Sequence, residues 1–188
     1  ERAEKYNFRY TTVFGSEIWA TMVLRRLTAR ARSFILWKAG RYERSTLYEL
    51  HVALNPDTGG LVWHYQHVAN GQWDLDWAFE RQIVELKTNT GTQKIVMNSG
   101  KMAILEALDA ATGEYLFSVD TGVQNVITAI GPVTGAKTID MDKWPDPDRA
   151  CLVCPSAGGA RCWPPTSYSP KTKLSYMPIT EVCMTLGP

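Results

Sequence analysis

From Thr46 onward the chain is written in short apolar or alternating runs of about four to eight residues: Leu47–Leu54, Leu61–Val68, Gln82–Lys87, Lys94–Met97, Ala103–Ala107, Tyr115–Val119 and Asn125–Ile130. Turn-forming clusters separate them, among them Asn55-Pro56-Asp57, Thr58-Gly59-Gly60, Thr90-Gly91, Thr112-Gly113 and Thr134-Gly135. Such runs, with no long 3.6-residue period between them, predict an all-β chain. One stretch, Gln72-Trp73-Asp74-Leu75-Asp76-Trp77, alternates strictly. In an extended backbone it would set Asp74 and Asp76 on one face and Trp73, Leu75 and Trp77 on the other, a carboxylate pair against a dry wall.

Before Thr46 the pattern is different. Thr21 to Lys38 predicts a basic helix with Met22, Leu24, Leu27, Ala31 and Ile35 loosely on one side. Residues 1–50 hold ten Arg or Lys against five Glu, a balance of +5 in a chain whose net charge is +1, so the remainder carries −4. That even total gives no general reason to invoke nucleic acid as a partner. Residues 1–46 are set apart as an atypical basic segment, divergent or derived from an altered reading frame, and 47–188 as the regular part. No run of 18 apolar residues exists, so no transmembrane segment is expected. The chain starts at Glu1 without a secretion signal, which suggests a removed leader or an internal piece of a longer protein.

The regular part repeats. Ala53-Leu54-Asn55-Pro56-Asp57-Thr58-Gly59-Gly60-Leu61-Val62-Trp63 and Ala107-Leu108-Asp109-Ala110-Ala111-Thr112-Gly113-Glu114-Tyr115-Leu116-Phe117 share the template Ala-x-Asn/Asp-x-x-Thr-Gly-x-x-x-aromatic, 107 − 53 = 54 residues apart. Weaker echoes begin at Pro132 and Ser169. The Asx residue starts a tight turn, Gly takes the positive φ, and the closing aromatic returns on the next strand to pack on a neighbouring unit. A turn module recurring about every 50 residues predicts propeller blades of four strands, about three to four of them here.

The template resembles the tryptophan-docking motif of the eight-bladed quinoprotein alcohol dehydrogenases, which use pyrroloquinoline quinone (PQQ). Gly60 departs from the usual Lys or Glu, and Phe117 stands where Trp is usual. The resemblance runs from about Thr46 to Pro188 and includes His64-Tyr65-Gln66, Trp73-Asp74-Leu75-Asp76, the Cys154-to-Ala160 stretch, Ser167-to-Thr172 and Glu181-to-Met184. It implies oxidation of a small primary alcohol to an aldehyde, with base-assisted hydride transfer to metal-bound PQQ and a cytochrome c as electron acceptor. It also implies a ring that this chain alone cannot close, so the remaining blades of a longer chain, or self-association, would cover its open faces.

By resemblance Asp74 is the catalytic base and a metal ligand, and Asp76 is a second metal ligand of the kind that marks lanthanide-dependent members rather than Ca²⁺-dependent ones. A trivalent ion asks for more anionic oxygen than Ca²⁺ does. Lys101 falls where the family places a cation on the quinone oxygens. Cys162 and Trp163 occupy a cofactor-contacting position that is often Asn-Trp. Leu75 and Cys162 both depart from the family's usual residues.

Four cysteines, Cys151, Cys154, Cys162 and Cys183, lie in the last quarter, and Cys151-x-x-Cys154 has zinc-ligand spacing as well as disulfide potential. The resemblance pairs Cys154 with Cys183 and leaves Cys151 and Cys162 free, which fits an oxidising periplasm. The three histidines His51, His64 and His67 read as packed or edge residues. The rival to an enzyme is a propeller scaffold that kept its docking motifs and lost the cofactor; the charged set Asp74, Asp76 and Lys101 separates the two.

Overall fold

The computed structural model describes the backbone of Phe8–Gly15, Ile18–Arg25 and Ser33–Phe34, and residues 50–187 apart from 70 and 90. Its strands are β1 (Phe8–Gly15), β2 (Ile18–Arg25), β3 (Ser33–Phe34), β4 (Leu50–Leu54), β5 (Leu61–Gln66), β6 (Gln82–Thr88), β7 (Gly91–Ser99), β8 (Ile104–Asp109), β9 (Tyr115–Asp120), β10 (Ile127–Ile130), β11 (Lys137–Ile139), β12 (Cys151–Val153), β13 (Ser167–Ser169), β14 (Leu174–Tyr176) and β15 (Met184–Leu186). A single 3-10 turn at Met141–Lys143 is the one helical element among the described residues.

The sheets are small and antiparallel. β6-β7-β8-β9 forms a complete four-stranded blade, β3-β4-β5 a three-stranded sheet, and β1-β2, β10-β11, β12-β15 and β13-β14 are two-stranded pairs. With strands as almost all of its regular elements among the described residues, arranged in successive small sheets, the chain is part of a β-propeller. The basic helix expected from Thr21 does not form in the described residues: β2 runs to Arg25 and pairs with β1 from Gly15↔Ile18 to Phe8↔Arg25. Its Ile-Trp-Ala-Thr-Met-Val sequence is rich in β-branched and aromatic residues, which outweigh a weak helical period once a pairing strand is available. Residues 26–32 and 35–38 of that stretch lie outside the described residues.

The repeated template folds into the same turn each time. In the first copy Asn55 Oδ1 accepts the amide of Asp57 at 2.9 Å, Gly59 N–H donates to Asn55 O at 2.6 Å, and Gly59 sits at φ 71°. In the second, Asp109 Oδ1 accepts the amides of Ala111 and Thr112 at 2.8 and 2.9 Å, Gly113 N–H donates to Asp109 O at 2.9 Å, and Gly113 has φ 76°. Both echoes close likewise, through Gly135 N–H to Gly131 O at 2.9 Å and Lys173 N–H to Ser169 O at 2.7 Å.

Docking follows from the turns. Trp63 lies so close over Gly113 that a β-carbon there would come within 2.6 Å of the ring. The second copy differs from the expectation: Phe117 pairs with Ala107, as Trp63 pairs with Ala53, yet it is 39% exposed. Tyr115, two residues earlier, packs on the glycine of the next turn module, Gly135, at a 2.5 Å β-carbon distance.

The largest core cluster joins Val68, Trp73, Leu75, Trp77, Met102, Ile104, Val126, Ile127 and Val153. Three of its members come from the alternating stretch, so that stretch is built into the interior between sheets.

Candidate functional site

Gln72–Trp77 alternates as its sequence requires, but not as a strand. No sheet includes it, and Asp74 adopts a left-handed φ of 59°. Side-chain pockets hold the alternation instead. Trp73 is 2% exposed and donates its indole N–H to Lys143 O at 2.6 Å, with Trp144 edge-on at 5.4 Å. Trp77, equally buried, stacks on His67 with centroids 4.3 Å apart and planes 6° from parallel. Between these anchors the carboxylates turn outward, Asp74 with 67% of its side chain exposed and Asp76 much less.

Lys101 sits in the turn between β7 and β8, 25 to 27 residues further along, and the fold brings it onto both carboxylates. Its ammonium is 2.6 Å from Asp76 Oδ1 and 3.2 Å from Asp74 Oδ2, and donates to Asp74 O at 2.8 Å. The backbone is tied at both ends: Lys101 N–H donates to Asp76 O at 3.0 Å, and Lys101 O accepts Ala160 N–H at 2.8 Å. Two glycines permit the close approach. A β-carbon on Gly100 would run into the Trp77 ring, and one on Gly159, at φ 81°, would lie 2.6 Å from the Lys101 stem. Burial works to lower the Lys101 pKa, but the hydrogen bond and charge of Asp76, with those of Asp74, outweigh it and raise the pKa above its ordinary value. Lys101 is therefore a fixed cation between two anions.

Cys162 and Trp163 follow the Ala160-Arg161 amides that reach Lys101 O, so they leave the site on the same strand of chain. Among the described residues neither side chain bonds to Asp74, Asp76 or Lys101. Trp163 is 77% exposed and meets Phe79 edge-on at 6.0 Å. Behind it, buried Arg161 pairs with Glu80, whose carboxylate also accepts Thr166 N–H at 2.7 Å and its hydroxyl at 2.6 Å. Cys154 and Cys183 form a disulfide, while Cys151 and Cys162 are free. The bridge and the Ser156 N–H to Val182 O bond of 2.6 Å fasten the loop that carries Gly159 and Arg161.

A buried polar cluster beside the site escapes the sequence reading. His67, Glu106 and Lys137 are all but inaccessible, and Glu106 takes His67 Nδ1–H on one oxygen and the Lys137 ammonium on the other. Tyr65 Oη donates to the same Glu106 Oε1 at 2.8 Å. Because an ionised carboxylate only accepts, the proton lies on His67 Nδ1. Burial pushes the His67 pKa down to about 4, with Glu106 opposing. For Glu106 burial raises the pKa, and the charges and hydrogen bonds of His67 and Lys137 more than reverse it, leaving a carboxylate below its ordinary range. The available signal was Glu106 itself, an acidic residue between the apolar Leu105 and Ala107 of β8; its partners lie 39 and 31 residues away.

Among the described residues no three His, Cys, Asp or Glu side chains converge as a metal site. Asp74 and Asp76 supply two carboxylates to one, with Asp74 open to solvent, so their donor chemistry fits the hard cation that the sequence resemblance implies, as part of a larger ligand set. No helix among the described residues is long and apolar enough to cross a membrane.

Residues 36–128 match the PQQ family, described as the β-propeller domain of glucose/ethanol/alcohol dehydrogenases. A quinohemoprotein alcohol dehydrogenase, ADH-IIG, of Pseudomonas putida is 34% identical over 130 residues, covering 68% of this chain and 18% of its own length. A lanthanide-dependent methanol dehydrogenase of Methylorubrum extorquens is 30% identical over 146 residues, covering 72% and 24%. The crystal structure of the quinohemoprotein alcohol dehydrogenase from Comamonas testosteroni superposes with a TM-score of 0.67 at 25% identity, over 73% of this chain and 20% of that one. This chain thus spans about a fifth of the length of the curated relatives it matches.

Proposed function

Given that the chain belongs to the PQQ-dependent quinoprotein alcohol dehydrogenase family, as one stretch of its propeller, we propose that it carries the proton-accepting and cation-holding edge of an alcohol-oxidising site. The observation that carries the reading is the convergence of Asp74, Asp76 and Lys101 from two separate segments onto one contact. When bound, the quinone supplies a two-electron acceptor and the cation Lewis acidity. Asp74, the more exposed carboxylate, takes the proton from the alcohol hydroxyl and contributes an oxygen to the cation. Asp76 adds the second anionic oxygen that favours a lanthanide over Ca²⁺. Lys101 presents its ammonium to the quinone oxygens, and Cys162 and Trp163 line the cofactor from the following loop. Residues 47–188 form blades of the propeller and 1–46 a distinct basic segment. The whole protein works in the periplasm, an assignment supported by the disulfide, and passes electrons to a cytochrome c.

The test is reconstitution of a complete propeller carrying this stretch with PQQ and either Ca²⁺ or La³⁺, reading cofactor absorbance and dye-linked oxidation of short primary alcohols. Asp74→Asn is expected to keep cofactor absorbance while lowering kcat by about 10²- to 10⁴-fold. Wild-type turnover in Asp74→Asn would overturn the role given to Asp74, and a parent propeller with neither cofactor absorbance nor turnover would favour the scaffold. Asp76→Ala is expected to abolish the response to La³⁺ and spare that to Ca²⁺.

A further inference from the structure

Trp77 connects the two polar assemblies of the interior. Its backbone directly follows Asp76, and its indole rests against Gly100, the residue before Lys101. The Asp76 O to Lys101 N–H bond of 3.0 Å spans these two neighbours. On the ring itself lies His67, parallel at 4.3 Å, and the Lys137 ammonium is 5.5 Å from the ring centre. His67 cannot drift, because Glu106 holds its Nδ1–H and is itself held by Lys137 and Tyr65. A stacked imidazole held by a buried carboxylate is a rigid platform in which one rotation would leave an unpaired charge in the core.

We infer that His67, fixed by Glu106 and Lys137, is a positioning residue that sets the spacing of Asp74, Asp76 and Lys101 by seating Trp77 against Gly100. The inference rests on those three residues being the working edge of the site. Its physical content stands apart from turnover: the ring of His67, more than its hydrogen bond, keeps the Asp76–Lys101 backbone contact closed.

Two substitutions separate ring from hydrogen bond. His67→Phe keeps a stacking ring and loses the donor to Glu106; His67→Gln keeps a donor and loses the ring. Amide hydrogen exchange in a complete propeller carrying this stretch reads the outcome at Lys101 and Ala160, with the β6–β7 amides as an internal measure of general loosening. Expected is at least a tenfold faster exchange at Lys101 in His67→Gln beyond any change in β6–β7, and a smaller acceleration in His67→Phe, which keeps the stacked ring but loses the bond to Glu106. Equal acceleration of Lys101 and β6–β7 in both variants, or an unchanged Lys101 in His67→Gln, overturns the inference. Should His67→Gln not fold, Trp77→Phe withdraws part of the same contact and is expected to accelerate Lys101 exchange about threefold beyond β6–β7; no selective change there overturns it equally. Selective opening at Lys101 in a parent propeller with neither cofactor absorbance nor turnover would sink the functional reading and leave this inference standing.

Discussion

At the scale of single residues, Lys101 decides how the two carboxylates differ. Asp74 is mostly in water, where an ion pair adds little, whereas Asp76 is largely covered and only 2.6 Å from the ammonium. Double-mutant cycles on Lys101→Met should therefore give a coupling with Asp76→Asn of about 1 kcal/mol or more, and with Asp74→Asn close to zero, read from urea midpoints. Equal couplings would show that the exposure difference is not felt. The identity of these residues was legible because Asp74 and Asp76 sit in a short motif and Lys101 precedes a repeat; their mutual contact was not, because no local rule places residue 101 over residue 76. The same limit hid the His67–Glu106–Lys137 cluster, whose members belong to three different strands or their flanks.

At the scale of elements, the turn module was the most readable feature, since Asx, Thr and Gly act within five residues of each other and the hydrogen bonds they form are local. What each module docks was less readable. Trp63 reaches Gly113 as its position promises, but Tyr115 rather than Phe117 meets Gly135. Gly59 and Gly113 occupy the same template position with nearly the same φ, yet a β-carbon at Gly59 meets nothing within 4 Å while one at Gly113 enters the Trp63 ring. Gly59→Ala should accordingly cost only the backbone strain, about 1 kcal/mol, and Gly113→Ala about 2–4 kcal/mol once overpacking is added. Thermal or urea denaturation compares them directly, and the difference isolates what docking contributes.

At the scale of the whole molecule, the buried cluster makes stability depend on pH in a fixed direction. His67 is held neutral with a pKa near 4 against 6.5 in the unfolded chain, and buried His51 is shifted the same way. Between those values the unfolded state binds more protons, so stability is complete above about pH 6.5 and falls as the pH drops towards 4, by on the order of 3 kcal/mol for His67 alone. The lowered pKa of Glu106 extends the same trend below 4.5. Urea midpoints taken from pH 7 to 4 should fall steadily in the parent chain and less steeply in His67→Phe.

The left-handed turn at Asp74 carries a consequence for how such a site changes over evolutionary time. In a β-strand one inserted residue turns every later side chain to the opposite face. Here Trp73 and Trp77 are each keyed to a separate pocket and no ladder links them. A residue inserted beside Asp74 would therefore stretch the distance between the two carboxylates while both indoles stay seated, so the reach of the site towards a larger or smaller cation is free to drift without dismantling the interior beneath it.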